Sequence, residues 1–125
     1  IWGVADEYIF DALVARQLEQ REKHAPFFAT LLSVSNHKPY RVPPGRPGYS
    51  ADSPSRKGAV RYADWCIGRY LDTLRSSGLL DTTLVLVVGD HGARVYGSED
   101  IPIRSYRIPA LFVGGGVAPR GQRIE

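Results

Sequence analysis

Apolar residues in this chain follow two kinds of pattern. The first is helical. Ile9, Phe10, Leu13, Val14 and Leu18 form one stripe, and Asp6 before them suits a helix cap, with Glu7 placing negative charge in the first turn. Residues 19–23 give this helix a solvated end. A second stripe, Val60, Ala63, Ile67, Leu71 and Leu74, predicts a helix that begins at Gly58 and ends at a left-handed Gly78. Tyr62, Trp65 and Tyr70 flank it as packing, and Cys66 reads as a small packed hydrophobe. The second pattern is a short apolar run without polar alternation. Residues 27–34 (FFATLLSV), 84–88 (LVLVV) and 108–113 (IPALFV) read this way, with Pro109 at a strand start, where proline is tolerated. Such runs suit strands covered on both faces, as in a parallel sheet.

The order of these elements predicts an α/β fold with a βαβ unit in a mostly parallel sheet flanked by helices. A right-handed crossover from 27–34 to 84–88 brings both carboxyl ends to one sheet edge. Ligands of open α/β sheets bind outside that edge. Polar, ligand-competent residues follow both strands there: Ser35-Asn36-His37-Lys38-Pro39-Tyr40 after the first, Gly89-Asp90-His91-Gly92 after the second. A carboxylate and an imidazole side by side can share one divalent cation. A tight turn is the plainer reading of Asp90-His91. His37 can contact an anion or donate a proton, or it can be a loop histidine bonded to nearby backbone.

The connections add less. Residues 41–55 contain Pro43, Pro44, Pro47 and Pro54 with Gly45 and Gly48, so they form a long irregular loop, a kind often functional or mobile. Arg41, Arg46 and Arg56 give it a positive cast. Residues 93–100 are a polar loop. Gly114-Gly115-Gly116 lacks the Lys-Ser/Thr that would make it a P-loop.

Composition narrows the classes. The chain has 125 residues, one domain at most, with 43% hydrophobic and 23% charged residues, as in ordinary globular proteins. Its net charge of +3 comes from arginines spread along the sequence, which tolerates anionic substrates but is no nucleic-acid signature. The single cysteine, Cys66, rules out an internal disulfide and a multi-cysteine zinc site. No apolar run reaches the roughly 18 residues of a membrane span, and no signal peptide opens the chain. Ile1-Trp2-Gly3 begins in mid-phrase and the chain stops in a polar stretch, so a piece of a larger protein is expected.

Three segments together resemble a known family: PFFATLLSVSNHKPY, SGLLDTTLVLVVGDHG and YRIPALFVGGG. They are similar to the sulfatase-like branch of the alkaline phosphatase superfamily. Within that branch, Ser-Asn-His-x-Pro-Tyr points to the lipoteichoic acid synthase and phosphoglycerol transferase group. Gly-Asp-His-Gly is shared more widely. The resemblance implies an alkaline-phosphatase-like fold, with residues 1–125 as the C-terminal portion of the catalytic domain. It implies that Asp90 and His91 are two metal ligands and that His37 contacts the phosphate or glycerol part of the substrate. The Thr or Ser nucleophile (a formylglycine in true sulfatases) and a further acidic ligand are expected before Ile1. The metal implied is Mn²⁺ first, with Mg²⁺, Zn²⁺ or Ca²⁺ as alternatives.

The resemblance further implies a phosphate- or sulfate-ester substrate, a phospholipid headgroup among the candidates, handled through a covalent intermediate. It implies an extracytoplasmic enzyme, at the periplasmic or outer face, anchored in the membrane by segments outside this chain. The 125 residues alone are expected to be inactive, and open strand edges could make them self-associate. Arg104 and Arg107 could help hold an anionic headgroup, without a motif to assign them. Two other readings stand beside this one. One is a sulfatase or phosphoethanolamine transferase. The other is a non-catalytic anion-binding α/β domain that uses the arginine-rich loop, with Asp90-His91 as a turn.

Overall fold

Helix α1 spans Asp6–Glu22 and helix α2 spans Arg56–Ser76. The computed structural model describes residues 3–92 and 103–116, and the chain divides after Ser76 into two compact units. In the first unit the two helices pack on each other. Their contact is not the aliphatic seam that the stripes predict. Helix α2 buries Ala59, Tyr62, Cys66, Tyr70 and Leu74, while Val60 is 46% exposed and Ala63, Ile67 and Leu71 are half-buried. Helix α1 buries Asp6, Glu7 and Gln17 more deeply than its apolar stripe.

The two departures share one cause. Tyr62 and Tyr70 bury large rings and still need partners for their hydroxyls. Tyr62 Oη donates to Glu7 Oε1 at 3.3 Å, and Tyr70 Oη donates to Gln17 Oε1 at 2.9 Å. Glu7 and Gln17 of α1 are therefore drawn inward to meet the tyrosines, while Asp6 is buried against the backbone of Val34 and Ser35. Val42, Tyr62 and Cys66 form the core, with Ala5, Phe10 and Trp65 packed against it. Phe10 lies against Tyr70, ring centroids 5.2 Å apart. Burial pushes both tyrosine hydroxyls above their ordinary pKa and the Cys66 thiol up to about 11.

Helix ends are closed by backbone geometry and by one side-chain cap. Asp6 is the first residue of α1, not its cap; Ala5 holds the cap position and makes no side-chain cap bond. At the other end His24 takes φ 51°. Its N–H bonds Arg21 O and the Ala25 N–H bonds Gln20 O, the Schellman pairing. Helix α2 begins at Arg56, two residues before Gly58, because Ser55 Oγ accepts the Gly58 N–H at 3.1 Å. Gly78 has φ 71°, the left-handed conformation its position predicts.

Loop 41–55 is fastened rather than loose. Gly48 (φ 86°) lies against Gly58 so closely that a Cβ on Gly48 would fall 2.1 Å from the Gly58 carbonyl oxygen. Arg46 in the same loop reaches Glu7 of α1.

The second unit holds strands β1 (Leu84–Val88) and β2 (Ala110–Gly114), with a 3₁₀ turn at Ile103–Tyr106. They pair antiparallel, Leu84 opposite Gly114 and Val88 opposite Ala110. Gly114 turns at φ 81°, where a Cβ would come within 2.5 Å of the Thr83 carbonyl oxygen and 2.6 Å of that of Leu80. The glycine run thus serves backbone approach.

Two expectations about the sheet change. Residues 27–34 adopt neither helix nor strand, and Phe28 and Leu32 are 92% and 72% exposed. A strand exists by virtue of a ladder partner, and no described residue supplies one. The βαβ unit is therefore not formed among the described residues, and their sheet is antiparallel rather than parallel. β1 is not covered on both faces either, since Leu84, Leu86 and Val88 are about half exposed. Among the described residues no helix is long and apolar enough to cross a membrane.

Candidate functional site

His37 lies in a loop whose start is held from beneath. Asp6 is fully buried, and its Oδ1 accepts the backbone N–H groups of Val34 at 3.0 Å and Ser35 at 3.1 Å. Ser35 Oγ accepts the Asp6 N–H in return, at 3.3 Å. The loop then closes on itself. The His37 N–H donates to Val34 O at 3.0 Å, and the Tyr40 N–H donates to His37 O at 2.8 Å, with Tyr40 at φ 58°. His37 Nδ1 is 2.9 Å from the Lys38 carbonyl oxygen. A carbonyl only accepts, so Nδ1 is the donor in this contact.

The same loop borders a pocket of about 520 Å³, lined by Ser35, His37, Lys38, Pro39, Arg41 and Val42 among others. That volume is in the range of small-ligand sites, ~300–1,000 Å³. His37, Lys38 and Arg41 give its wall the donors and positive charge that suit an anion.

Arg46 is committed elsewhere. Its Nε donates to Glu7 Oε1 at 3.1 Å and Oε2 at 2.9 Å, and Nη2 stands 2.9 Å from Oε2. Arg69 Nη1 approaches the same oxygen at 3.6 Å, and Arg69 Nη2 pairs with Asp11. Both guanidinium groups lie over the Trp65 ring, at 5.4 and 5.5 Å. The buried Glu7 carboxylate holds the Arg46 pKa above its ordinary value. Of the loop arginines, Arg41 faces the pocket and Arg46 serves the fold. The sequence assigns Asp6 to a cap and Glu7 to the helix dipole, and so misses both networks. Two adjacent acids at a helix start, with unassigned arginines downstream, were the available signal.

Asp90 and His91 follow β1, after Gly89. Both are exposed, their side chains 72% and 81% accessible. Asp90 Oδ1 accepts the His91 N–H at 2.9 Å. His91 Nδ1 is 2.8 Å from the Gly92 carbonyl oxygen, so Nδ1 is again the donor and Nε2 the lone-pair nitrogen. Nε2 and Asp90 Oδ2 are 3.8 Å apart, less than two metal–ligand bonds of ~2.0–2.2 Å end to end. One carboxylate oxygen and one correctly tautomeric imidazole thus fit a shared divalent ion. Among the described residues no cluster of three or more His, Cys, Asp or Glu completes such a site.

The structure brings Asp90 to His91, and His37 to Lys38 and Arg41. The shared sheet edge inferred for His37 and Asp90-His91 rested on a strand at 27–34, which the described residues do not form. Arg107 is exposed, while residues 93–100 and the Arg104 side chain lie outside the described residues.

The sulfatase family model matches residues 2–125. The chain belongs to the sulfatase family. Steryl-sulfatase of Rattus norvegicus is 34% identical over 124 residues, a match covering 85% of this chain and 21% of that protein. Choline-sulfatase of Rhizobium meliloti (strain 1021) is 33% identical over 66 residues, covering 48% of this chain and 13% of that protein. Among solved structures, a protein in the alkaline phosphatase superfamily from Vibrio parahaemolyticus superposes with a TM-score of 0.81 at 34% identity. It covers 95% of this chain and 29% of its own. The lipoteichoic acid synthase LtaP from Listeria monocytogenes superposes with a TM-score of 0.71 at 24% identity, covering 95% of this chain and 35% of its own. The α/β fold of the alkaline phosphatase superfamily is the fold of this sulfatase-family chain, which spans about a third or less of the length of each of these relatives.

Proposed function

We propose that this sulfatase-family chain is the C-terminal part of a metal-dependent catalytic domain acting on phosphate or sulfate esters, as a phosphoglycerol transferase or a sulfatase-like hydrolase. Asp90 and His91 are two ligands of a divalent cation, Mn²⁺ before Mg²⁺, Zn²⁺ or Ca²⁺. When bound, the ion supplies positive charge against the charge that builds on the ester oxygens. Asp90 offers Oδ2, and the Gly92 carbonyl keeps the His91 proton on Nδ1 so that Nε2 can coordinate.

His37 holds the anionic headgroup. Its Nε2 accepts a hydrogen bond while the ring is neutral and donates one when protonated. Lys38 and Arg41 supply the charge of the pocket wall. The nucleophile, which carries the covalent intermediate, and the remaining ligands belong to parts of the protein outside this chain. The enzyme works on the extracytoplasmic side, anchored by membrane segments that also lie outside it, and the 125 residues alone do not turn over substrate.

The observation that carries this reading is the Gly89-Asp90-His91-Gly92 turn, with its fixed imidazole tautomer, in a chain of this family. The sulfatase relatives favour a sulfate ester, whereas the Ser35-Asn36-His37-Lys38-Pro39-Tyr40 loop and its basic pocket favour a phosphoglycerol headgroup. Turnover of fluorescent phosphatidylglycerol and of p-nitrophenyl sulfate by the full-length protein separates the two. Asp90→Ala and His91→Ala must abolish whichever activity is found. Full activity in both variants would sink the reading.

A further inference from the structure

We propose that Asp6 is a positioning residue for His37. The inference rests on the reading of His37 as the headgroup contact and adds what sets that contact in place.

Asp6 lies far from His37 in sequence, and nothing in its own helix requires its carboxylate. The cap position of α1 belongs to Ala5, without a side-chain cap bond. The carboxylate instead leaves the helix and takes two consecutive backbone N–H groups, Val34 and Ser35, on the single oxygen Oδ1. Successive N–H groups converging on one anionic oxygen make a compact, directional anchor. Ser35 Oγ closes the ring by accepting the Asp6 N–H.

The path to His37 is then short. The Val34 N–H is held by Asp6, and the Val34 carbonyl oxygen accepts the His37 N–H. The anchor itself is rigid, because Asp6 is fully buried at the start of a helix packed on α2. Its neighbour Glu7 grips the following loop through Arg46. The first turn of α1 thus fixes both ends of the segment that carries His37, Lys38 and Arg41.

Asp6 Oδ2 is buried and has no hydrogen-bond partner among the described residues. Only Oδ1 is used, so the role asks for one carbonyl-type oxygen at that place and not for the second. Asn provides that oxygen; Ala does not.

The test is a double-mutant cycle in the full-length protein, reading kcat, KM and bound metal with fluorescent phosphatidylglycerol and p-nitrophenyl sulfate as probes. Asp6→Ala is expected to lower kcat/KM about 10–100-fold at unchanged metal content. Asp6→Asn is expected to stay within about 3-fold of the parent. In a His37→Ala background Asp6→Ala should cost less than about 2-fold more, because the two act through one contact. If Asp6→Ala does not fold, Ser35→Ala, which removes the return bond together with one hydroxyl of the pocket lining, carries the same cycle with a smaller loss. Equal losses in both backgrounds would overturn the inference, as would an Asp6→Asn variant as damaged as Asp6→Ala. A fully active His37→Ala would bring down the reading of His37 first, and the positioning role with it. An inactive His37→Ala with additive Asp6 effects would bring down the positioning role alone.

Discussion

His37 and His91 are built alike at the ring and differently beneath it. Each imidazole gives its Nδ1 proton to the carbonyl oxygen of the next residue, Lys38 in one case and Gly92 in the other. The His37 loop is then tied to a fully buried aspartate through the Val34 and Ser35 N–H groups and the buried Ser35 hydroxyl. Among the described residues the Asp90-His91 turn is held by bonds to its own neighbours, and both side chains are exposed. The contrast separates two ways of placing a functional group. A headgroup contact can be preorganised by the fold. On the proposed reading, the pair of metal ligands sits on an exposed turn whose imidazole orientation is set locally.

If that contrast is right, the two halves fail differently. The largest effect belongs to the turn. Asp90→Ala or His91→Ala should reduce bound metal and turnover of the full-length protein by at least ~10²-fold, since even outer-shell changes cost 10–100-fold. The same variants should leave the metal-free protein within about 0.5 kcal/mol of the parent in urea denaturation, because exposed side chains carry little stability.

Variants of the helical unit should lose stability and keep their metal. Asp6→Ala leaves two N–H groups unpaired and should cost on the order of 2–4 kcal/mol in the same denaturation. Gly48→Ala should cost at least about 2 kcal/mol, because its Cβ would strike the Gly58 carbonyl and φ 86° strains any side chain. A Gly48→Ala protein as stable as the parent would show the loop to be loose.

A smaller effect lies in the pH dependence. The Cys66 thiol is pushed up to about 11 by burial, against an ordinary value of 9.0. The folded state therefore keeps a proton that the unfolded state loses first. The stability this contributes is complete below pH ~9 and is lost as pH rises toward ~11, on the order of 2 kcal/mol. Tyr62 and Tyr70 act in the same direction at higher pH. Denaturation midpoints between pH 8 and 11 check this, and Cys66→Ala should flatten the first part of the slope.

The parts of the fold legible in the sequence were those decided locally. Both helices, the strand at 84–88, the strand before Gly114 and the left-handed Gly78 are set by short-range patterns. The alkaline-phosphatase-like fold and the sulfatase family were legible in three motifs. Residues 27–34 were misread because strand formation depends on a neighbour that no local pattern contains. The packing of Tyr62, Cys66, Tyr70 and Leu74 was legible. The centre of the buried face of α2 was placed instead on Val60, Ala63, Ile67 and Leu71, because an aliphatic stripe does not show that tyrosine hydroxyls are satisfied by a glutamate and a glutamine on another helix. The Asp6 anchor was invisible for the same reason, since its partners are backbone groups 28 and 29 residues away. His37, Asp90 and His91 stood out because their chemistry is unusual just past an apolar run.

The most direct test of the central claim is the divalent-metal content of the full-length protein and of its Asp90→Ala and His37→Ala variants, measured with turnover on the same samples. The division into a metal half and a headgroup half predicts that Asp90→Ala loses both metal and turnover, while His37→Ala keeps its metal and loses turnover of the ester. Metal retained in Asp90→Ala, or lost in His37→Ala, would contradict it.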